Sequence, residues 1–321
     1  MFKWQSGALR KYNMKNKNKK IDWSSKQRRQ SLIDTRRYLW REDTIEKIAK
    51  WIDLRHGMCV LDVGCGLGYL GYTFWPFFKK SGRYIGVDIN PKLLLETKKT
   101  AKIWAKRKPF VITGDSYKLP LMSNSVDCVM CQTLLIHLKN PANVLGEFFR
   151  VVKPGGNVVC MEPDNDSWRG YNSLPVLSID DICLLYEFKL RSNRARIKQG
   201  MGDYTLGMKI LHLMKKTGFK HLDARQNDMV YILESPYDSQ AQQSQFKMLR
   251  NQVVGKKKSR KSWIEEEKKL YLAGGGKIRK FNRIVRIYNN QLAVMKRQVK
   301  NREYFRCLAG SFYIAKGTKP E

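Results

Sequence analysis

Apolar and polar positions change period along the chain, and the changes mark its elements. Ile45, Ile48, Ala49 and Ile52 recur at three- and four-residue steps, which predicts a helix between Thr35 and Leu54. From Met58 onward, short apolar runs alternate with amphipathic stretches. The runs Met58–Val63, Tyr84–Val87, Phe110–Thr113, Val126–Cys131 and Asn157–Met161 read as strands. Helices are expected from the glycines after Val63 to about Phe78, over Pro91–Ala105 and over Pro141–Val151. Pro91 suits a helix start, where a missing N–H costs no hydrogen bond. The strand runs lack two-residue alternation, as strands buried on both faces do.

After Glu162 the alternation slackens. Residues 163–200 read as loop and then helix, and a helix over Met208–Thr217 ends at Gly218, a residue suited to closing helices. Strand-like runs return at Met229–Leu233 and Phe312–Ala315. Between them the chain is largely helical, with a break at Gly274-Gly275-Gly276. Ile278, Phe281, Val285, Tyr288, Leu292, Met295 and Val299 hold helical spacing after the break. The pattern predicts an α/β fold: a doubly wound, mostly parallel seven-stranded sheet, helices on both faces, and a helical insertion before the last strand. The expected organisation is a basic, loose segment at 1–34, a core at 35–233, a helical lid or insertion at 234–306, and a final strand with tail at 307–321.

Composition adds limits. With 42% hydrophobic residues the chain can build a core, so global disorder is excluded. No apolar run reaches the roughly 18–20 residues of a membrane span. The stretch Met1-Phe2-Lys3-Trp4-Gln5-Ser6 does not open a signal peptide, so a cytoplasmic enzyme is expected. Seven cysteines, odd in number and irregularly spaced, argue against a disulfide framework. Cys128 and Cys131 form a C-x-x-C, but residues three apart on a strand face opposite ways, so they read as small buried hydrophobes and no metal is expected.

The formal charge of +34 is uneven. Residues 1–41 hold 13 Lys and Arg against 2 acids, and residues 234–306 hold 19 against 6. One reading is an anionic partner, a nucleic acid or a phosphorylated substrate. The other is a solvated surface, since Asn13, Asn16 and Asn18 sit among Lys15, Lys17, Lys19 and Lys20 as compositional drift would place them.

Candidate chemistry concentrates in Val60-Leu61-Asp62-Val63-Gly64-Cys65-Gly66-Leu67-Gly68-Tyr69-Leu70-Gly71, a strand running into a glycine-rich turn and then a helix. Glycines allow the tight turn and a close backbone approach to a ligand. Gly66, Gly68 and Gly71 also satisfy the dinucleotide pattern, with Asp88 as its ribose-binding acid. Asp62 two residues before Gly64, Gly114-Asp115 after the third strand, and Val151-Val152-Lys153-Pro154-Gly155-Gly156 before the fifth favour S-adenosylmethionine instead. With Gly86-Val87-Asp88 and Gln132-Thr133-Leu134-Leu135-Ile136-His137-Leu138, these segments resemble the class I, Rossmann-like methyltransferases, and in particular the ubiquinone/menaquinone-biosynthesis-like group of the methyltransferase type 11 kind. The match covers about residues 40–162.

The resemblance implies S-adenosyl-L-methionine as cofactor and assigns positions. The backbone from Gly64 through Cys65 and Gly66 to Gly68 would lie against the methionine part, and Asp62 would help hold its amino group. Asp88 would take both ribose hydroxyls, Ile89 would pack beside the adenine, and Asp115 with Ser116 would meet the adenine amino group. Gln132 would border the methionine moiety. His137 is a candidate general base or a pocket-wall residue. Glu162 and Asp164 follow the fifth strand and could face the acceptor, where one, with Glu162 the catalytic candidate, would deprotonate or orient its nucleophile; the alternative is a capped loop. Tyr38 and Trp40 could close over the cofactor or pack in the core.

The leading expectation is methyl transfer to a small or medium-sized molecule, by in-line displacement. An RNA or other nucleic-acid methyltransferase is the alternative, with the basic segments on phosphates and Trp23, Trp40 or Trp263 stacking bases. Against it, Cys131-Gln132-Thr133-Leu134 stands where an Asn-Pro-Pro-Tyr-like motif would mark methylation of exocyclic base amines. A non-catalytic S-adenosylmethionine-binding protein and a nicotinamide-dependent oxidoreductase complete the alternatives. The acceptor and oligomeric state have no signature here.

Overall fold

The computed structural model describes residues 40–104, 109–167, 169–254 and 257–321. Tyr38, Trp23 and the basic segment 1–34 lie outside the described residues. The elements run α1 (Glu42–Trp51), β1 (Cys59–Val63), α2 (Tyr69–Phe78), β2 (Arg83–Asp88), α3 (Pro91–Trp104), β3 (Phe110–Thr113), β4 (Val126–Gln132), α4 (Pro141–Val151) and β5 (Val152–Pro163). They continue with β6 (Arg169–Asn172), α5 (Ile179–Lys198), α6 (Ile210–Thr217), β7 (Lys220–Gln226), β8 (Val230–Leu233), α7 (Gln240–Val254), α8 (Lys257–Ala273), α9 (Ile278–Asn301), β9 (Arg306–Ala309) and β10 (Phe312–Thr318). Two compact units account for the described residues. One draws on 39–165, 202–229 and 311–321; the other on 166–201 and 230–310.

The first unit is an α/β sandwich. Its seven strands lie in the order β3-β2-β1-β4-β5-β10-β7. β1 to β5 run parallel, and β10 is antiparallel to both β5 and β7. Both faces of the sheet are buried. Leu61, Val63, Val129, Cys131 and Val158 join Val144 and Phe148 of α4 and Ile210 and Met214 of α6 on one side. Val60, Cys128, Met130, Val159 and Met161 join Ile48 of α1, Ile52 just after it, and Phe74 and Phe78 of α2 on the other. Residues of the central strands β1, β4 and β5 thus face apolar neighbours whichever way they point, which is why no alternation shows in their sequence. Cys128 and Cys131 fall in opposite layers.

Strand content differs from expectation: β6, β7 and β9 fall where the sequence shows no strand run. The sequence offers Met229–Leu233 and Phe312–Ala315 as the strand-like runs after α6, yet the first of them, β8, does not join β10. In the structure β10 pairs instead with β7, whose residues are nearly all exposed. An edge strand with little to bury needs no apolar run, and Lys220–Gln226 has almost none.

The second unit holds a small antiparallel sheet, β6-β9-β8, with α5, α7, α8 and α9. Leu233, Tyr237, Phe246, Leu249, Leu292, Met295 and Tyr304 form one apolar cluster; Leu184, Phe188, Tyr271, Phe281 and Ile284 form a second. Arg196 and Glu267 pair at 2.8 Å, both almost fully buried, so each removes the other's uncompensated charge. The glycine break after α8 has a steric cause: a Cβ on Gly274 would sit 2.0 Å from the Arg191 carbonyl oxygen. No helix among the described residues is long and apolar enough to cross a membrane.

Candidate active site

The parallel strands all end at one edge, and the candidate residues gather there. Between β1 and β2 lies the glycine turn. Gly64, Gly66 and Gly68 all hold positive φ, at 70°, 54° and 77°, where a side chain would be strained. At Gly64 the space is closed too, since a Cβ would stand 2.9 Å from the Leu134 side chain. The N–H groups of Gly64 and Cys65 both donate to the Val87 carbonyl, at 2.7 and 3.1 Å, which ties the turn to β2. The buried Thr97 hydroxyl of α3 donates to the Gly66 carbonyl at 2.7 Å.

Asp88 ends β2 and grips the turn. One carboxylate oxygen accepts from Gly66 N–H at 2.9 Å, the other from Asn90 N–H at 2.8 Å. Burial raises its pKa, and the two N–H groups oppose that rise. Asp62, 2% exposed, sits one strand away and accepts from the Tyr84 hydroxyl at 2.8 Å. Burial pushes its pKa up to about 7; the Tyr84 hydrogen bond opposes the shift and the Asp88 charge adds to it. Tyr84 comes close because Gly86 gives it room: a Cβ there would lie 3.2 Å from the Tyr84 oxygen and 2.9 Å from Cys65 Sγ.

The other strand ends complete the edge. Gly114 N–H donates to the Asp88 carbonyl at 3.1 Å, drawing the end of β3 to that of β2. Asp115 follows, exposed, with its carboxylate accepting from Tyr117 N–H at 3.0 Å in an Asx turn. Ser116 is half-buried and Ile89 is 47% exposed. At the end of β4, the Gln132 side-chain nitrogen and the Thr133 hydroxyl are buried and have no hydrogen-bond partner among the described residues. Thr133 also holds a positive φ of 53°, unusual for a β-branched residue.

Glu162 ends β5, fully buried. One of its oxygens accepts from the N–H groups of Leu134 and Leu135, each at 2.8 Å, and the other from Ile136 at 3.5 Å. Its carboxylate thereby holds the first turn of the short 3₁₀ helix Leu135–His137, where backbone donors lack helical partners. His137 is half-buried and meets the Tyr204 ring edge-on, with centroids 6.1 Å apart. Asp164 is buried, and its backbone N–H donates to the Ser311 carbonyl at 2.9 Å. Trp40 packs edge-on against Phe74 and Phe312, in the core of the first unit.

The structure therefore joins Asp62, the Gly64–Gly68 turn, Asp88 and Gly114 through direct bonds or paired strands, and sets Gln132 and Glu162 on neighbouring strands. Sequence reasoning missed Tyr84 and Thr97. A tyrosine in an otherwise apolar buried strand, needing a partner for its hydroxyl, was the available clue to the first. Ligands of parallel α/β sheets bind beyond the carboxyl ends of the strands, at the point where strand order reverses. Here that point lies between β1 and β4.

Residues 61–160 match the family model described as a methyltransferase domain. The matched residues carry a methyltransferase domain with the class I fold. Among its curated relatives is a demethylmenaquinone methyltransferase of Oceanobacillus iheyensis, 31% identical over 142 residues, which are 44% of this chain and 58% of that protein. A protein of transposon TN4556 from Streptomyces fradiae is 36% identical over 116 residues, 36% of this chain and 33% of that one. The matches thus span about a third to three-fifths of these relatives' own lengths. The crystal structure of a candidate methyltransferase from Bacillus halodurans shares the fold, with a TM-score of 0.51, 16% identity, and coverage of 87% of this chain and 100% of that one. S-adenosylmethionine is the cofactor of this class. The methyltransferase domain's edge fits such a group: the glycine turn leaves backbone bare where Cβ atoms would stand, and Gln132 and Thr133 hold unused polar atoms in a buried place.

Proposed function

We propose that the chain transfers a methyl group from S-adenosylmethionine to a small or medium-sized acceptor. The observation that carries this is the Asp88 carboxylate, fixed by Gly66 and Asn90 against a turn of three left-handed glycines. When bound, the cofactor supplies a methyl group on a sulfonium, which leaves without acid assistance. What remains for the chain is binding, alignment and exclusion of water.

In this reading Asp88 takes the ribose hydroxyls, Asp62 the amino group, and the backbone of Gly64, Cys65, Gly66 and Gly68 borders the methionine part. Ile89, Asp115 and Ser116 flank the adenine, and Gln132 and Thr133 turn their spare polar atoms to the methionine end. His137 accepts a proton where the acceptor's nucleophile carries one. Glu162 acts as a positioning residue: it holds the backbone of Leu134 and Leu135, which follow Gln132 and Thr133 and lead to His137. The demethylmenaquinone methyltransferases among the relatives support a small-molecule acceptor.

The test is twofold. Calorimetry with S-adenosylhomocysteine should show binding that Asp88→Ala removes. Labelled methyl groups from S-adenosylmethionine should then enter the lipid or small-molecule fraction of a cell extract. Binding without labelling of any fraction would overturn catalysis, and no binding would overturn the reading itself.

A further inference from the structure

A concave site lies in the unit formed by 166–201 and 230–310, and none of its residues belongs to the methyl-transfer reading. It encloses about 470 Å³. Its floor is an aromatic pair: Tyr237 and Phe246 stack with centroids 4.1 Å apart and rings 19° from parallel. Above them lies the Arg302 guanidinium, 5.3 Å from one ring centre and 5.5 Å from the other. Its Nη2 donates to the Pro236 carbonyl at 2.6 Å, so this cation is held in place from two sides.

Two further cations stand on the wall. Lys247 and Arg250 are three residues apart on α7 and share one face of it. Neither forms an ion pair among the described residues, and Arg302 reaches no carboxylate either. Among the lining residues Asp238 is the one acid. Three cations around one hollow repel each other, a cost that an anion in the hollow reverses.

The backbone adds an independent observation. Arg302 ends α9 in the left-handed conformation, with φ 59°. That position normally goes to glycine or asparagine, because a larger side chain is strained there. The strain places a fixed guanidinium over the aromatic floor.

We propose that this hollow binds a phosphate-bearing ligand through Lys247, Arg250 and Arg302. A phosphate carries up to two charges and several acceptor oxygens, which three separated donors can meet at once. Isolated surface lysines would give only a diffuse field; here one donor is fixed and the site is concave.

The test uses the full chain and two probes, inorganic pyrophosphate and an end-labelled single-stranded oligoribonucleotide. Binding is read by calorimetry and fluorescence anisotropy at low and moderate salt. Lys247→Glu with Arg250→Glu should weaken binding at least about tenfold. Arg279→Glu with Arg286→Glu, on exposed α9 positions, changes net charge equally and should cost far less. All four side chains are exposed, and thermal melting confirms that both variants fold. Loss confined to the first variant for pyrophosphate alone identifies a small phosphorylated ligand. The same loss for both probes identifies a polynucleotide backbone. Equal losses in both variants, or none, overturn the proposal.

Discussion

The two units handle charge in opposite ways. In the sheet unit the charges of the candidate site are few and acidic, buried at Asp62 and Glu162 and half-buried at Asp88, and each has named partners: Asp62 has Tyr84, Asp88 has Gly66 and Asn90, Glu162 has Leu134 and Leu135. In the helical unit charge is abundant, basic and mostly exposed, and the cations of the Arg302 hollow have no acidic partner among the described residues. A buried charge must be satisfied one bond at a time, because each unmet bond is expensive. An exposed charge is cheap, and it acts through number and placement. The first kind of site can be broken by one atom, the second only by changing several residues.

Glu162→Ala should give the largest effect. It strands the buried N–H groups of Leu134 and Leu135, at about 1–3 kcal/mol each. Denaturant unfolding should register that loss, and Glu162→Gln, which keeps one acceptor, should recover part of it. A pH–rate profile separates anchoring from proton transfer: Glu162→Gln should keep its shape, and a lost limb would return Glu162 to the chemistry.

Asp88→Ala comes next. It deletes the acceptor of two backbone bonds and the proposed ribose ligand, so affinity for S-adenosylhomocysteine should fall about a hundredfold, near 3 kcal/mol. A loss under about threefold would remove Asp88 from the site and erase the contrast with the basic unit.

The third effect depends on pH. Burial pushes Asp62 to about 7 against the ordinary 3.8, so the folded protein holds its proton more tightly than the unfolded chain. Its contribution to stability is therefore present at low pH and declines as pH rises from 3.8 through 7. Pairing with an ammonium group needs the ionised form. Affinity for S-adenosylhomocysteine should rise with pH and level off above 7, with a slope of at most about tenfold per unit below it. Asp62→Asn should flatten the profile. A flat profile in the parent protein would place Asp62 outside the site.

Tyr84→Phe is the mildest change. It removes one hydrogen bond to Asp62 and leaves the ring, at about 1 kcal/mol. Because that bond favours the ionised acid, its loss should move the Asp62 titration upward. An unmoved midpoint would make Tyr84 packing alone.

Much of the sheet unit was legible in the sequence, for a physical reason. A turn between parallel strands forces glycines at fixed spacing, and strand ends place Asp62, Asp88 and Asp115 by position alone. What stayed hidden depends on partners distant in the chain or on the absence of burial. Glu162 reads as a free acid until the fold brings Leu134 and Leu135 to it. Thr97 looks like any helix residue until it meets the Gly66 carbonyl. β7 has too little apolar character to announce itself, and β8 looks like a core strand although it pairs with β9 in the small sheet. In the helical unit the basic composition was plain, but not that Lys247, Arg250 and Arg302 surround one hollow.

The place of β10 has a consequence for synthesis. It lies between β5 and β7, yet the ribosome makes it only after the whole stretch from Val230 to Gly310. Until then the nascent chain carries β5 with an open hydrogen-bonding flank, and β7 has no neighbour to join. Such a flank accepts any passing strand, so the interval is the period of greatest exposure to misassembly and to chaperones.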